Sequence, residues 1–365
     1  MRAVRATSLA VAALALTALL APTTASALPR GFFGIVPQTP VGRADTARMR
    51  AGGLQTIRAS LGWSGVQSSP RGGYDWAGFD QLVANAAHNR LEVLPFLYST
   101  PHWVGGDWRR LPVDGGRARR AWAEFVGAAV ERYGRGGEFW SEHGPGSDEP
   151  LPTLPIRAWQ IWNEENFFYF AKPASPQRYA RLLAITHRAV HRADPRADVV
   201  LGGLFGDPAA GPPWALDATD FLDRLYRVRG VKANFDAVAL HPYAADTVSL
   251  RDLVEGVRRT MVRHGDRRSG LYLTELGWGS QNDPAVVSFE VGISGQVREL
   301  RDAYRYLLGN RGRLNLRQVD WFSWKDAPGG CAFCDSVGLF RSGARFKPKP
   351  AWRAMVAATH GRLGR

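Results

Sequence analysis

The chain has 365 residues, 45% of them hydrophobic and 22% charged, and a formal net charge of +14. Burying a large core is within reach at this length, and a basic balance favours anionic partners at low salt. Apart from Lys172, Lys232, Lys325, Lys347 and Lys349 every basic residue is Arg; these are scattered as solvated surface rather than gathered, so nucleic acid is not an expected partner.

Arg2 and Arg5 precede an apolar run over residues 9–20, which ends at the small residues Ala25, Ser26 and Ala27. That is the pattern of a secretory signal peptide over residues 1–27, and the run is short of the ~20 residues that span a bilayer. The expectation is a secreted protein, with residues 28–365 as one catalytic domain and no stable membrane insertion after cleavage. Cys331 and Cys334 are the only cysteines. In an oxidising compartment a local disulfide pinning a loop is expected. A redox role lacks its thioredoxin-like context, and two ligands are too few for a structural zinc site.

Short β-rich runs then alternate with amphipathic helical patterns. Strands are predicted over residues 32–36, 55–61, 91–98, 156–162, 199–204, 237–241, 271–275 and 318–324. Between and after them, apolar residues recur at three and four over 76–89, 117–133, 176–192, 220–228, 250–264, 294–308 and 350–359. The Gly/Pro-rich stretch 134–155 reads as a surface excursion before the fourth strand. Eight such pairs imply an α/β fold, a (β/α)8 TIM barrel in a single domain.

In that architecture the chemistry sits where strands end. The fourth strand delivers Asn163 and Glu164 to the rim, and the seventh delivers Glu275. Each Glu follows an apolar strand interior, where burying a carboxylate is costly. Two facing carboxylates are what glycoside hydrolysis uses: one protonated to assist the leaving oxygen, one ionised to attack the anomeric carbon. Arg58, at the end of the second strand, is placed to keep one of them ionised. Phosphate-binding loops, dinucleotide fingerprints, zinc helices and serine elbows do not occur, and the reaction needs no cofactor and no metal.

Ile161-Trp-Asn-Glu, His241-Pro-Tyr, Thr274-Glu-Leu-Gly-Trp and Trp324, taken in strand order, resemble the retaining barrel glycosidases of clan A. Thr100-Pro-His-Trp and Lys347-Pro-Lys-Pro-Ala-Trp are similar to segments of family 39-like enzymes, near family 5. The resemblance implies Glu164 as acid/base, Glu275 as nucleophile and Asn163 as the residue holding a sugar 2-hydroxyl. It further implies that Arg58, His241 and Tyr243 orient the carboxylates and that Trp324 is a platform under the cleaved sugar. Trp103 and Trp278, ahead of Trp63, are candidates for sugar subsites, with core packing as the alternative. Where the family often has Pro after the acid/base, this chain has Glu165, a third carboxylate near the site. The expected function is hydrolysis of O-glycosidic bonds, β-linked ones in particular, in polysaccharides or glycosides by double displacement, with transglycosylation or a non-catalytic carbohydrate-binding barrel as alternatives.

Overall fold

A computed structural model describes residues 27–363 except 209, 213, 283–287, 332, 344 and 346. Residues 1–26 of the expected signal peptide lie outside the described residues. No helix among the described residues is long and apolar enough to cross a membrane.

Among the described residues, eight parallel strands alternate with the eight main helices of the barrel. They run β1 (Phe33–Val36), α1 (Arg43–Ala51), β2 (Thr56–Gly62), α2 (Ala77–His88), β3 (Glu92–Tyr98), α3 (Gly115–Tyr133), β4 (Ala158–Ile161) and α4 (Pro176–Ala193). The second half begins with β5, in two pieces (Asp198–Leu201 and Leu204–Phe205), and α5 (Ala218–Tyr226). It continues with β6 (Ala237–His241), α6 (Thr247–Arg263), β7 (Gly270–Leu276), α7 (Gly292–Leu314), β8 (Leu316–Phe322) and α8 (Pro350–Ala358). Each strand pairs with its neighbours in sequence. β1 meets β8, and β5 meets β6 through Val200 opposite Ala237 and Phe205 opposite His241, so the sheet closes into a barrel.

Local chemistry explains the helix starts. Pro176 opens α4 behind Ser175, whose hydroxyl accepts from Arg178 N at 3.3 Å; Asp217 and Asp246 cap α5 and α6 in the same way. The helix α1 is missing from the periodicity reading because Met49 is its one large apolar residue. It is placed by burying Met49 and by polar ties, Thr46 Oγ1 donating to Asn85 O at 2.9 Å and Asn85 Nδ2 to Val41 O at 3.0 Å. The 134–155 stretch is more than a surface excursion. A short helix, Glu138–Glu142, buries Phe139 and Trp140, and the Trp140 indole donates to Tyr133 O at 2.8 Å.

Two boundary shifts matter for the site. β4 stops at Ile161, one residue before the expected end, and β8 stops at Phe322, so Trp324 lies two residues past the strand.

Candidate active site

Side chains from β2, β6 and β7 and from β4 with the turn after it converge on one buried polar network; Arg58 comes from the third residue of β2, inside the strand rather than at its end. Arg58 is fully buried on β2, and each arm of its guanidinium has an acceptor: Nε to Gln160 Oε1 at 2.6 Å, Nη1 to Glu275 Oε1 at 2.5 Å, Nη2 to Asn163 Oδ1 at 2.7 Å. Its Cζ lies 4.2 Å from the Phe96 ring centroid. A desolvated cation is tolerated only when its donors and its charge are both answered, as they are here. Tyr243 donates to the other oxygen of Glu275 at 2.7 Å. Both Glu275 oxygens are therefore acceptors, the state of an ionised carboxylate.

Glu164 is held differently. Trp162 and Glu164 both adopt left-handed backbone (φ 74° and 43°) on either side of Asn163, a conformation costing on the order of 1–3 kcal/mol per residue. This turn, rather than strand alternation, sends Asn163 and Glu164 into the cavity and Glu165 away from it. His241 Nδ1 lies 2.8 Å from Glu164 Oε1 and Nε2 lies 3.0 Å from Thr274 Oγ1. The tautomer follows from the neighbours. Arg58 can only donate, so the Gln160 oxygen faces it and the Gln160 amide nitrogen donates to Thr274 Oγ1 at 3.0 Å. Thr274 then passes its own proton to His241 Nε2, and His241 Nδ1–H donates to Glu164 Oε1. Burial holds His241 well below the usual imidazole range, with the nearby Arg58 charge adding to it, so the ring is neutral.

Burial first, and then the Glu275 charge, raise the Glu164 pKa well above the ordinary carboxylate range; Arg58 opposes and Glu165 adds slightly. Glu164 thus keeps its proton, and since Oε1 accepts from His241 the proton sits on Oε2. One oxygen from each carboxylate and a His241 ring nitrogen lie within 4.8 Å of one another. They open into a cavity of about 660 Å³ whose apolar lining includes Phe96, Tyr98, Phe205, Phe289, Phe322 and Phe333.

No family model matches the sequence, and comparison with curated proteins finds no relative. Solved structures share the architecture. A family 39 glycoside hydrolase from the gut symbiont Bacteroides cellulosilyticus WH2 superposes with a TM-score of 0.63 at 19% identity, covering 91% of this chain and 64% of that one. The GH39 enzyme from Xanthomonas axonopodis pv. citri gives 0.64 at 19%, covering 91% and 67%. A GH5_18 protein from Bifidobacterium longum subsp. infantis gives 0.64 at 16%, covering 93% and 80%. The chain has the fold of the clan A glycoside hydrolases. At these identities the likeness is one of fold, and this chain spans about two thirds of the length of the family 39 structures.

Within that barrel Arg58, Asn163, Glu164, Tyr243 and Glu275 line one cavity, with His241 directly behind. The four tryptophans lie elsewhere. Trp324 is buried against Phe340 and Trp352, its indole donating to Asp45 Oδ1 at 2.8 Å, and the cavity wall at this strand end is Phe322. Trp278 is buried against Trp321, and Trp63 among Trp103, Trp122 and Phe125. Trp103 faces a separate hollow of about 690 Å³ with Arg71, Arg117 and Arg120, which holds no carboxylate pair. Cys331 and Cys334 are disulfide-bonded, and both line the cavity together with Phe333.

Gln160 and Thr274, which set the His241 tautomer, escaped the sequence reading, although a polar Gln inside an apolar strand is a visible signal. So did the Gly202–Gly203 break in β5. A Cβ on Gly203 (φ 81°) would lie 2.2 Å from His241 Nε2, and one on Gly202 would collide with the Glu165 carboxyl. Both glycines make room for side chains of the site.

Glu165 is fully buried behind this break. The neighbouring Tyr179 hydroxyl spends its proton on Ile161 O (2.7 Å) and accepts from Gly202 N (2.9 Å), which leaves both Glu165 oxygens without a well-formed hydrogen bond. Burial pushes the Glu165 pKa from 4.5 up to about 8, so it is neutral at pH 7. Between those values the unfolded chain releases a proton that the folded chain retains. The group's contribution to stability is thus complete below pH 4.5 and lost as pH rises towards 8. Glu165→Gln removes this slope. Its stability relative to wild type is expected to climb from pH 5 to pH 8, by at most about 4 kcal/mol over those three pH units, and to show as a Tm difference that widens with pH; parallel Tm curves would refute the burial account.

Proposed function

We propose that this protein is a retaining glycoside hydrolase that cleaves O-glycosidic bonds, β-linked ones in particular, by double displacement. The observation that carries this reading is the Glu164–Glu275 pair: two carboxyl groups with oxygens within 4.8 Å, Glu164 with its pKa raised by burial and by the Glu275 charge, Glu275 accepting from Arg58 and Tyr243 with both oxygens. An inverting pair leaves room for a water and stands ~6.5–9.5 Å apart, whereas a retaining pair stands ~5–5.5 Å apart.

The steps follow from the hydrogen bonds. Glu164 Oε2–H gives its proton to the glycosidic oxygen while Glu275 attacks the anomeric carbon from the opposite face, forming a glycosyl ester and releasing the leaving group as an alcohol. Consumption of the Glu275 charge removes one of the causes that raised the Glu164 pKa, so the now ionised Glu164 is stable for long enough to act as base. It takes a proton from water, the water oxygen attacks the anomeric carbon, and the ester bond returns its electron pair to Glu275. Arg58 and Tyr243 bind the nucleophile throughout. Asn163 Oδ1 is occupied by Arg58, which leaves its amide N–H2 to hold a sugar hydroxyl.

Export fits the same reading. The basic, apolar and small-residue pattern over residues 1–27 would route the chain outside the cytoplasm, where the Cys331–Cys334 disulfide is at home.

The test is an aryl β-glycoside panel (xylose, glucose, mannose, arabinose) followed by NMR of the first-formed anomer. The proposal predicts release from at least one sugar with β product appearing first. Initial α product contradicts the retaining mechanism, and tight sugar binding without release favours a non-catalytic barrel.

A further inference from the structure

Aromatic side chains of a folded chain are normally covered, so the ones left in water are informative. Trp108, Tyr169 and Trp214 are 42%, 58% and 54% exposed, and they are the aromatics among the strongly exposed large apolar side chains described. All three stand on loops that follow β3, β4 and β5, on the Glu164 side of the cavity. Tyr169 lines the cavity together with Glu164. Its ring stacks on Phe168 at 4.7 Å, and Phe168 meets Trp214 edge to face at 6.1 Å. An aromatic ridge therefore runs from the cavity mouth outward.

The ridge is held in place. Asn166, two residues past Glu164, donates to Phe205 O (2.8 Å) and Leu216 O (2.7 Å) and accepts from Phe205 N (2.8 Å), tying the β4 loop to the β5 loop. Phe167 pairs with Ala215 across the same junction and stacks on Phe205 at 5.5 Å. A preformed apolar surface of this kind loses little entropy when a ligand settles on it.

We propose that Tyr169, Phe168 and Trp214 form a platform for the leaving-group sugars of an oligosaccharide substrate. The inference rests on the glycosidase reading and goes beyond it, since it commits the enzyme to substrates that continue past the scissile bond. Its direction comes from Glu164, because the group that protonates the glycosidic oxygen stands beside the departing half of the substrate. Sugars present apolar C–H faces, which suit flat rings in water, and the ridge begins at Tyr169, which lines the same cavity as the acid.

The test compares two substrates of the sugar that wild type cleaves fastest: the glycosyl fluoride, whose leaving group is a single atom, and the matching β-1,4-linked trisaccharide. In the variant carrying Tyr169→Ala and Trp214→Ala, kcat/KM for the trisaccharide is expected to fall at least about tenfold, chiefly through KM, with the fluoride changed less than about twofold. Tyr169→Phe with Trp214→Phe should restore the trisaccharide rate. Equal losses on both substrates would mean a distorted site, and no loss on either would mean an idle ridge; each overturns the platform while leaving the glycosidase standing. Unchanged kinetics with loss of a dimer in sedimentation would assign the ridge to a second copy and overturn it too. Wild type that releases nothing across the aryl β-glycoside panel, and so offers no preferred sugar, refutes the glycosidase reading itself, and the platform with it.

Discussion

Glu275→Gln is expected to lower kcat/KM by at least ~10⁴-fold on every substrate, because the other carboxyl of the cavity, Glu164, stands on the leaving-group side of the anomeric carbon and cannot replace it as nucleophile. Folding should survive. The Gln oxygen still accepts from Arg58, and its amide can donate to the Tyr243 oxygen, so the buried guanidinium retains Gln160, Asn163 and the Phe96 face as partners. Its ion pair is lost, and a Tm decrease of several degrees is the expected cost. Near-UV circular dichroism and a thermal melt check the fold, and an aryl glycoside assay checks the rate. A variant that folds and retains more than a few per cent of wild-type activity removes Glu275 from the nucleophile role.

Glu164→Gln should divide substrates by leaving group. A sugar or alkyl leaving group needs the proton, and its kcat/KM should fall ~10²–10⁴-fold, whereas a glycosyl fluoride needs none and should still form the glycosyl ester. Hydrolysis of that ester then lacks its base, so azide, which attacks without one, should accelerate turnover and yield a glycosyl azide of retained configuration. The pH profile supplies a second readout. Wild type requires protonated Glu164, whose pKa is raised by burial and by the Glu275 charge, so kcat/KM should persist above the ordinary carboxylate range and fall as pH climbs through the raised value. That alkaline limb should vanish in the variant. Equal losses on fluoride and trisaccharide, with no response to azide, would rule out the acid/base role.

The barrel was legible in the sequence because its strands are mostly buried, and their apolar runs stand out between Gly and Pro breaks, as in Ala237–His241. That Glu164 and Glu275 share one cavity was legible because a carboxyl at or just past the end of such a run has few structural reasons to be there. The tryptophans were not. An indole reads the same in a cavity wall as in a core, and Trp324 was set two residues off by a strand that ends at Phe322. Arg43–Ala51 was hidden because polar ties replace most of its apolar face. The neutral state of Glu165 depends on a cavity closed by Gly202 and Tyr179, residues 37 and 14 positions away along the chain. The Phe167–Phe170 run, three residues past the acid, went unread although Phe167, Tyr169 and Phe170 line the cavity.

The most direct test is to incubate the protein with a 2-deoxy-2-fluoro glycosyl fluoride of its preferred sugar and to map the adduct by mass spectrometry. The account predicts one sugar per chain, ester-linked to Glu275, in step with loss of activity. Complete inactivation with the label on Glu164, or steady turnover of the fluoride to inverted product with no adduct, would contradict it.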